Sequence, residues 1–291
     1  MKEKQNMICN QSILFAAILG LGVFGTAATE AVEIRERDGW DLVWADEFNT
    51  PGQPDPEEWT YDRGLRRNQE SQFYTDKPEN CRIEDGKLIL EARRERVKNP
   101  NFVPGSSNWK EAEFAEYTSA CVVAKRDFLY GRLEIRAKIP AGKGTWPAFW
   151  LLGKSGYAGK WWPECGEIDI LEYLGKDPSN IINDVHYKGS DGKHKHAARR
   201  ISAGAPSEDF HIYALEWDET ELRFYYDDRM TSKFTIAEAD SGDENPFRHP
   251  FELRLNFALG GWGGTVDPQI LPLRYEIDYV RHYQKKNQAA E

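Results

Sequence analysis

The sequence is poor in the features that would place it in several large classes. Four cysteines occur in 291 residues, and no two have the Cys-x-x-Cys spacing of a zinc site or a dithiol redox site. Basic side chains do not predominate: 38 Lys and Arg stand against 48 Asp and Glu, a formal charge of −10. Phosphate backbones select a basic surface, so nucleic acid is not an expected partner. Gly142-Lys143 lacks the upstream glycine of a phosphate-binding loop, because residue 137 is alanine. No Gly-x-Ser-x-Gly elbow occurs, which removes the usual serine-hydrolase signature. Long helical periodicity is missing, and past the first 28 residues no apolar run is long enough to span a bilayer.

What is present begins with a leader. Lys2 and Lys4 precede an apolar stretch from Ser12 to Gly25, and Thr26-Ala27-Ala28 follow. Basic start, short apolar core and small-residue end are the order of a signal peptide, expected over residues 1–28. An uncleaved membrane anchor is the alternative. The signal reading makes the mature protein secreted or periplasmic, without membrane contact. Export leaves Cys81, Cys121 and Cys165, an odd number that permits at most one disulfide among three pairings. Small buried thiols are the plainer reading of all three. One domain is expected over residues 33–284, with a polar tail over 285–291, and the protein is expected to act as a monomer.

Short alternating runs fill that domain. Leu88 to Ala92, Gly131 to Lys138, Phe210 to Trp217, Glu221 to Tyr226, Thr231 to Ile236, Phe251 to Leu259 and Tyr275 to Tyr283 all read as strands. Val97 to Glu113 reads as a surface loop. Many short strands at regular spacing predict an all-β sandwich or barrel, and two stacked antiparallel sheets leave one curved face free for a ligand. Ten Trp and thirteen Tyr exceed the needs of such a core, so some rings are expected on a binding surface. Flat apolar rings with polar edges suit the faces of sugars.

Gly166 to Tyr173, Gly-Glu-Ile-Asp-Ile-Leu-Glu-Tyr, is the most informative stretch. On a strand Glu167 and Asp169 share one face, while Ile168 and Ile170 share the other. Simple alternation would then bury Glu172 among the isoleucines, at a cost of roughly several kcal/mol for an unpaired carboxylate. A β-bulge near Ile170-Leu171 returns Glu172 to the face of Glu167 and Asp169. Three acids on one face repel one another, and chemistry explains them better than stability does. Two carboxyls about 5–5.5 Å apart suit a retaining glycosidase, one attacking the anomeric carbon and the other protonating the leaving oxygen. Spacing alone leaves two other readings open: a half-exposed strand with an acidic outer face, and a calcium-binding patch. The neighbouring tryptophans favour a sugar cleft: Trp146, Trp150, Trp161, Trp162 and Trp262.

Together these residues resemble glycoside hydrolase family 16, in its laminarinase-like, endo-1,3-β-glucanase branch. The likeness runs through Leu42 to Thr50, Asn68 to Arg93, the Gly131–Gly153 segment, the acidic motif, Asn-Phe-Ala-Leu-Gly-Gly-Trp-Gly-Gly and the final strand. The six-residue motif, with an extra residue before its last Glu, resembles the bulged strand of laminarinases, agarases and carrageenases. The resemblance implies a β-jelly-roll with a concave cleft and retaining hydrolysis. It implies Glu167 as nucleophile, Glu172 as acid/base and Asp169 as the residue that orients the nucleophile. It implies Trp146, Trp150, His186, Asn68, Glu70, Tyr74 and Trp262 as cleft residues. It also implies a possible structural Ca2+ at Glu47, Gly86 and Asp278, and no cofactor for catalysis. Two departures touch the presumed glycone wall: Cys121 stands where laminarinases usually carry arginine, and Asn68-Gln69-Glu70-Ser71-Gln72 replaces Asn-Asn-Glu-Leu-Gln. The expected partner is therefore a β-1,3 or mixed β-1,3/1,4 glucan such as laminarin. A marine galactan of agar or porphyran type cut by the same chemistry is the alternative, as is a non-catalytic glucan-binding protein. His194 and His196 alternate with Lys193 and Lys195, and Arg199-Arg200 follow. This cluster reads as a solvated cationic loop, with an anionic polymer or a metal as other occupants.

Overall fold

A computed structural model of the chain describes residues 37–154 and 159–286. The leader over 1–28 and the end of the polar tail lie outside the described residues. Two eight-stranded sheets form the body. In the first, the order is Arg229–Thr235, Glu221–Tyr226, His211–Trp217, Gly131–Lys138, Leu273–Lys285, Lys87–Ala92 and Cys81–Glu84. Trp40–Asp46 also pairs with Leu273–Lys285. In the second, the order is His194–His196, Asn180–Lys188, Glu167–Glu172, Thr145–Gly153, Phe251–Leu259, Cys121–Phe128 and Trp59–Tyr61. Arg199–Ser202 also pairs with Asn180–Lys188. Every pairing within these two sheets is antiparallel.

Alternation builds the core between the sheets. Leu133, Ile135 and Ala137 enter it from the first sheet. Phe149 and Leu151, then Leu253, Leu255, Phe257 and Leu259, enter it from the second. The intervening residues of these second-sheet strands point to the opposite face, away from the first sheet. The hairpin signal at Asp227-Asp228 closes as a two-residue turn, with Tyr226 opposite Arg229 and Asp227 at φ +53°. His194–His196, read from the sequence as a loop, is an edge strand paired with His186, Tyr187 and Lys188. Cys81, Cys121 and Cys165 are free thiols in buried positions, so none of the three disulfide pairings forms.

The acidic strand carries the expected irregularity. Asp169 lies opposite Trp150 and Leu171 opposite Phe149, so one step on the neighbour spans two steps here and Ile170 is the extra residue. Ile168, Ile170 and Leu171 all enter the core. Glu172 then falls opposite Ala148, two residues from Trp150, and shares the face of Asp169. A bulge frees a carbonyl from its ladder, and a buried unpaired carbonyl is costly. Asn183 Nδ2–H donates to the Ile170 carbonyl at 2.7 Å. Asn183 Oδ1 accepts from the hydroxyls of Thr231 and Ser232 at 2.8 and 3.0 Å. The kink is thereby fastened to the opposite sheet. Beyond it, Gly175 passes so near the Gly142 carbonyl that a Cβ would sit 1.7 Å from its oxygen, which leaves room for glycine alone.

Asn183→Ala is expected to cost about 1–3 kcal/mol, because the Ile170 carbonyl loses its partner inside the core. Equilibrium denaturation of the variant beside the parent chain measures this; a loss under about 0.5 kcal/mol would show that the kink does not need the amide.

Candidate active site

The face of the second sheet turned away from the core collects the sequence-predicted residues. Thr145–Gly153 presents Trp146, Ala148 and Trp150 by simple alternation. Glu167 lies opposite Leu152, and Asp169 and Glu172 follow on the same side because of the bulge. From the next strand come Asp184, opposite Asp169, and His186, opposite Glu167. Phe251–Leu259 contributes Arg254 and Asn256.

Hydrogen bonds hold these groups in place. Trp146 Nε1–H donates to Glu172 Oε1 at 2.9 Å. Trp150 Nε1–H donates to Asn256 Oδ1 at 2.7 Å, and Asn256 Nδ2–H donates to the Tyr74 hydroxyl at 3.0 Å. Asp62 accepts from Arg67 and Arg254, each at 2.8 Å. Burial opposes ionisation of Asp62, but Arg67, Arg254 and Arg66 together hold its carboxyl below the usual range. Both guanidiniums lie over the Trp150 ring, Arg67 at 5.0 Å and Arg254 at 5.5 Å from its centre. The indole is therefore held by two guanidiniums over its ring and by its N–H.

The three acids are held as proton carriers. Asp169 and Glu172 are buried, 3% and 8% exposed. Burial, then the charges of Asp169 and Glu167, push Glu172 well above the ordinary carboxylate range; the Trp146 N–H pulls the other way. Burial also raises Glu167, against the charge of His186 and hydrogen bonds from Trp162 and Asp169. Asp169 is raised well above its ordinary value by burial and by the charges of Glu167 and Asp184, and it hydrogen-bonds Glu167. Burial and mutual repulsion thus favour the protonated form of all three carboxyls, most strongly at Asp169 and Glu172. His186 Nε2 lies 3.3 Å from Asp169 Oδ2 and 3.5 Å from Asp184 Oδ2.

The remaining expected residues divide. Asn68, at φ +55°, and Glu70 lie in the turn beside Gly260 and Gly261. Glu70 is buried and accepts from Gln72 Nε2 at 2.7 Å. Tyr74 is fully buried, so it lies behind the surface and supports Asn256. Trp262 is exposed and stands edge-on to Trp146, 5.7 Å between ring centres. It borders a groove of about 500 Å³ lined also by Leu174, Lys176, Asp177, Ile182 and Arg200. The residues expected around calcium have the following partners. Glu47 takes Arg281 through both oxygens at 2.7 and 2.9 Å, and Asp278 accepts from Arg136 at 2.7 Å. Gly86, at φ +70°, closes the turn between Cys81–Glu84 and Lys87–Ala92. Both carboxylates are thus engaged by guanidiniums.

Sequence reasoning missed Asp184, Asn256, Arg67 and Arg254 as parts of this face. Asp184 was within reach, since it is two residues before His186 on one strand. Arg67 had no local signal: its Nη2–H donates to Cys121 Sγ at 3.4 Å, so it occupies the neighbourhood of the residue noted as a departure from laminarinases. Trp162 stands half-exposed on the rim, 6.1 Å from the His186 ring centre.

Comparison with known proteins agrees with this geometry. A profile of glycosyl hydrolases family 16 matches residues 68–281. A β-glucanase of Rhodothermus marinus is 39% identical over 97% of this chain and 96% of its own length. The laminarinase structure from Rhodothermus marinus superposes with a TM-score of 0.72 at 40% identity, covering 85% of this chain and 98% of that one. A structure from work on endo-acting O-glycanases of the human gut microbiota that initiate mucin breakdown gives 0.80 at 38% identity, covering 86% and 93%.

Two outcomes follow from the charges. The Trp146 N–H favours ionised Glu172, so Trp146→Phe is expected to raise the Glu172 pKa and move the basic limb of the pH profile of kcat/KM to higher pH. A limb that stays or moves down would contradict the assignment. Asp169 has a raised folded pKa, so the folded chain keeps a proton that the unfolded chain releases near pH 3.9, and stability is lost as pH rises through the folded value. Asp169→Asn removes that loss: thermal unfolding at pH 7 is expected to rise by roughly 2–4 °C, about 1 kcal/mol, with no gain below pH 4.

Proposed function

The chain belongs to glycosyl hydrolases family 16, and on that premise we propose that it is a secreted, retaining endo-β-glucanase acting on β-1,3-linked or mixed β-1,3/1,4-linked glucans such as laminarin. In the first step a Glu167 oxygen bonds to the anomeric carbon as the glycosidic C–O bond breaks, and Glu172 gives its proton to the departing oxygen. In the second, Glu172 takes a proton from water, whose oxygen displaces Glu167 and releases the sugar. Asp169 acts through Glu167, by the hydrogen bond that fixes its orientation. Trp146 and Trp150 offer ring surface to the sugars flanking the cleaved bond. Each step moves protons and electron pairs among carboxyls, sugar and water, so it invokes no cofactor.

The observation that carries this reading is the bulge at Ile170, which brings Glu172 onto the face of Glu167 and Asp169. A catalytically silent binding protein would have no use for three mutually repelling acids, two of them buried. The likeness to a laminarinase supports the glucan assignment. The leader's composition supports export, and among the described residues no helix is long and apolar enough to cross a membrane.

A second substrate reading has its own support. Lys176 and Arg200 line the groove that Trp262 borders. Asp177 lines it too and pairs with Arg200, so Lys176 supplies the net positive charge there, which favours an anionic galactan cut by the same chemistry.

Glu167→Ser is expected to abolish release of reducing ends while oligosaccharide binding persists in calorimetry. With the parent chain, proton NMR in the first minutes is expected to show β product, because two inversions restore the configuration. α product would contradict Glu167 as nucleophile. A panel of laminarin, lichenan, agar, porphyran and mucin glycans separates the two substrate readings.

A further inference from the structure

The edge of the active face gathers, around His186 of the acid cluster, two side chains to which hydrolysis assigns no step. Ligating atoms of Asp184, His186 and His196 all lie within 4.8 Å of one another. The cross-strand register produces this: His196 pairs with His186, and Asp184 lies two residues before His186 on the same side. Asp184 Oδ2 is 3.1 Å from His196 Nδ1 and 3.5 Å from His186 Nε2. A tetrahedral ion with bonds of about 2.0–2.1 Å separates its ligands by roughly 3.4 Å. These two separations bracket that value, so ligation needs little movement.

The surroundings fit the same use. Asp184 is buried, and its other oxygen accepts from the N–H groups of Val185 and Ala197 at 2.8 and 3.0 Å. Oδ2 is therefore held facing the two imidazoles. His194 Nε2 lies 3.0 Å from His186 Nδ1. A proton on that Nδ1 leaves the Nε2 lone pair for a metal, the outer support that ligating histidines commonly have. His196 is exposed, which gives an ion a path from solvent.

We infer that Asp184, His186 and His196 form a site for a zinc-class transition-metal ion, and that an ion bound there suppresses hydrolysis by drawing His186 from Asp169. Two nitrogens and one carboxylate select zinc, nickel or copper over calcium and magnesium. The inhibitory half rests on the proposed glycosidase reading; the binding half does not. A competing set, Glu167, Asp169 and His186, also lies within 4.8 Å and would place the ion on the catalytic acids instead.

Zinc titration of chelator-stripped protein by calorimetry, alongside hydrolysis with and without zinc, tests this. One ion per chain is expected, with binding at least tenfold weaker in His196→Ala and retained in Glu167→Ser. His196→Ala is expected to keep its basal turnover and to need at least tenfold more zinc for half-inhibition. His196→Gln checks that a fold defect is not the cause, since it fills the edge position and is expected to behave alike. No zinc binding, equal binding in His196→Ala, loss of binding in Glu167→Ser, or turnover unaffected by bound zinc would each overturn the inference. Because calorimetry reads binding without substrate, a failure of the glycosidase reading is seen separately, as absence of turnover in the metal-free parent chain.

Discussion

A single side-chain amide links the fold to the chemistry. Asn183 satisfies the carbonyl that the bulge releases at Ile170 and takes hydroxyl donors from the opposite sheet. Without the extra residue, Glu172 would face the core and Leu171 the cleft. With it, Ile168, Ile170 and Leu171 all face the core and Glu172 joins Glu167 and Asp169 on the cleft side. The irregular strand is thus stabilised by burial of Ile168, Ile170 and Leu171, each contributing about 1.5–3 kcal/mol as an upper estimate. That apolar contribution offsets the cost of gathering like charges on the other side.

The acids are surrounded by groups of different kinds, and the difference assigns them different work. Glu172 receives one indole N–H and no cation, so burial dominates and its proton stays. Glu167 feels His186 and two hydrogen bonds, so it is the more readily ionised of the coupled pair with Asp169. Pairs of carboxyls whose surroundings push them apart are how one site supplies both an acid and a nucleophile. The cations Arg67 and Arg254 lie farther along the face and are engaged by Asp62, where they brace Trp150.

Much of this was legible from local pattern. Gly131–Lys138, Glu221–Tyr226 and Phe251–Leu259 have the ends that alternation and turn residues predict. The kink was legible because Glu-Ile-Asp-Ile-Leu-Glu cannot alternate strictly without burying a carboxylate. What escaped depended on long-range pairing. The sequence around His194 to His196 is polar on both sides and resembles a loop; it becomes a strand because the exposed edge at His186–Lys188 offers it hydrogen bonds. Tyr74 reads as a cleft aromatic, yet its parallel pairing with Tyr117–Ser119 and its bond to Asn256 draw it beneath the surface. Carboxylates offered as calcium ligands turned instead to arginines that lie more than a hundred residues away in sequence.

The thiols carry a consequence of another kind. Burial pushes Cys81 and Cys121 up to about 12 and Cys165 to about 11, so thiolate is scarce at neutral pH and attack on an oxidant is slow. Among the described residues no disulfide links the two sheets, whose core is held by packing and by buried hydrogen bonds such as those of Asn183. A reducing environment therefore has no bond to break at these three positions.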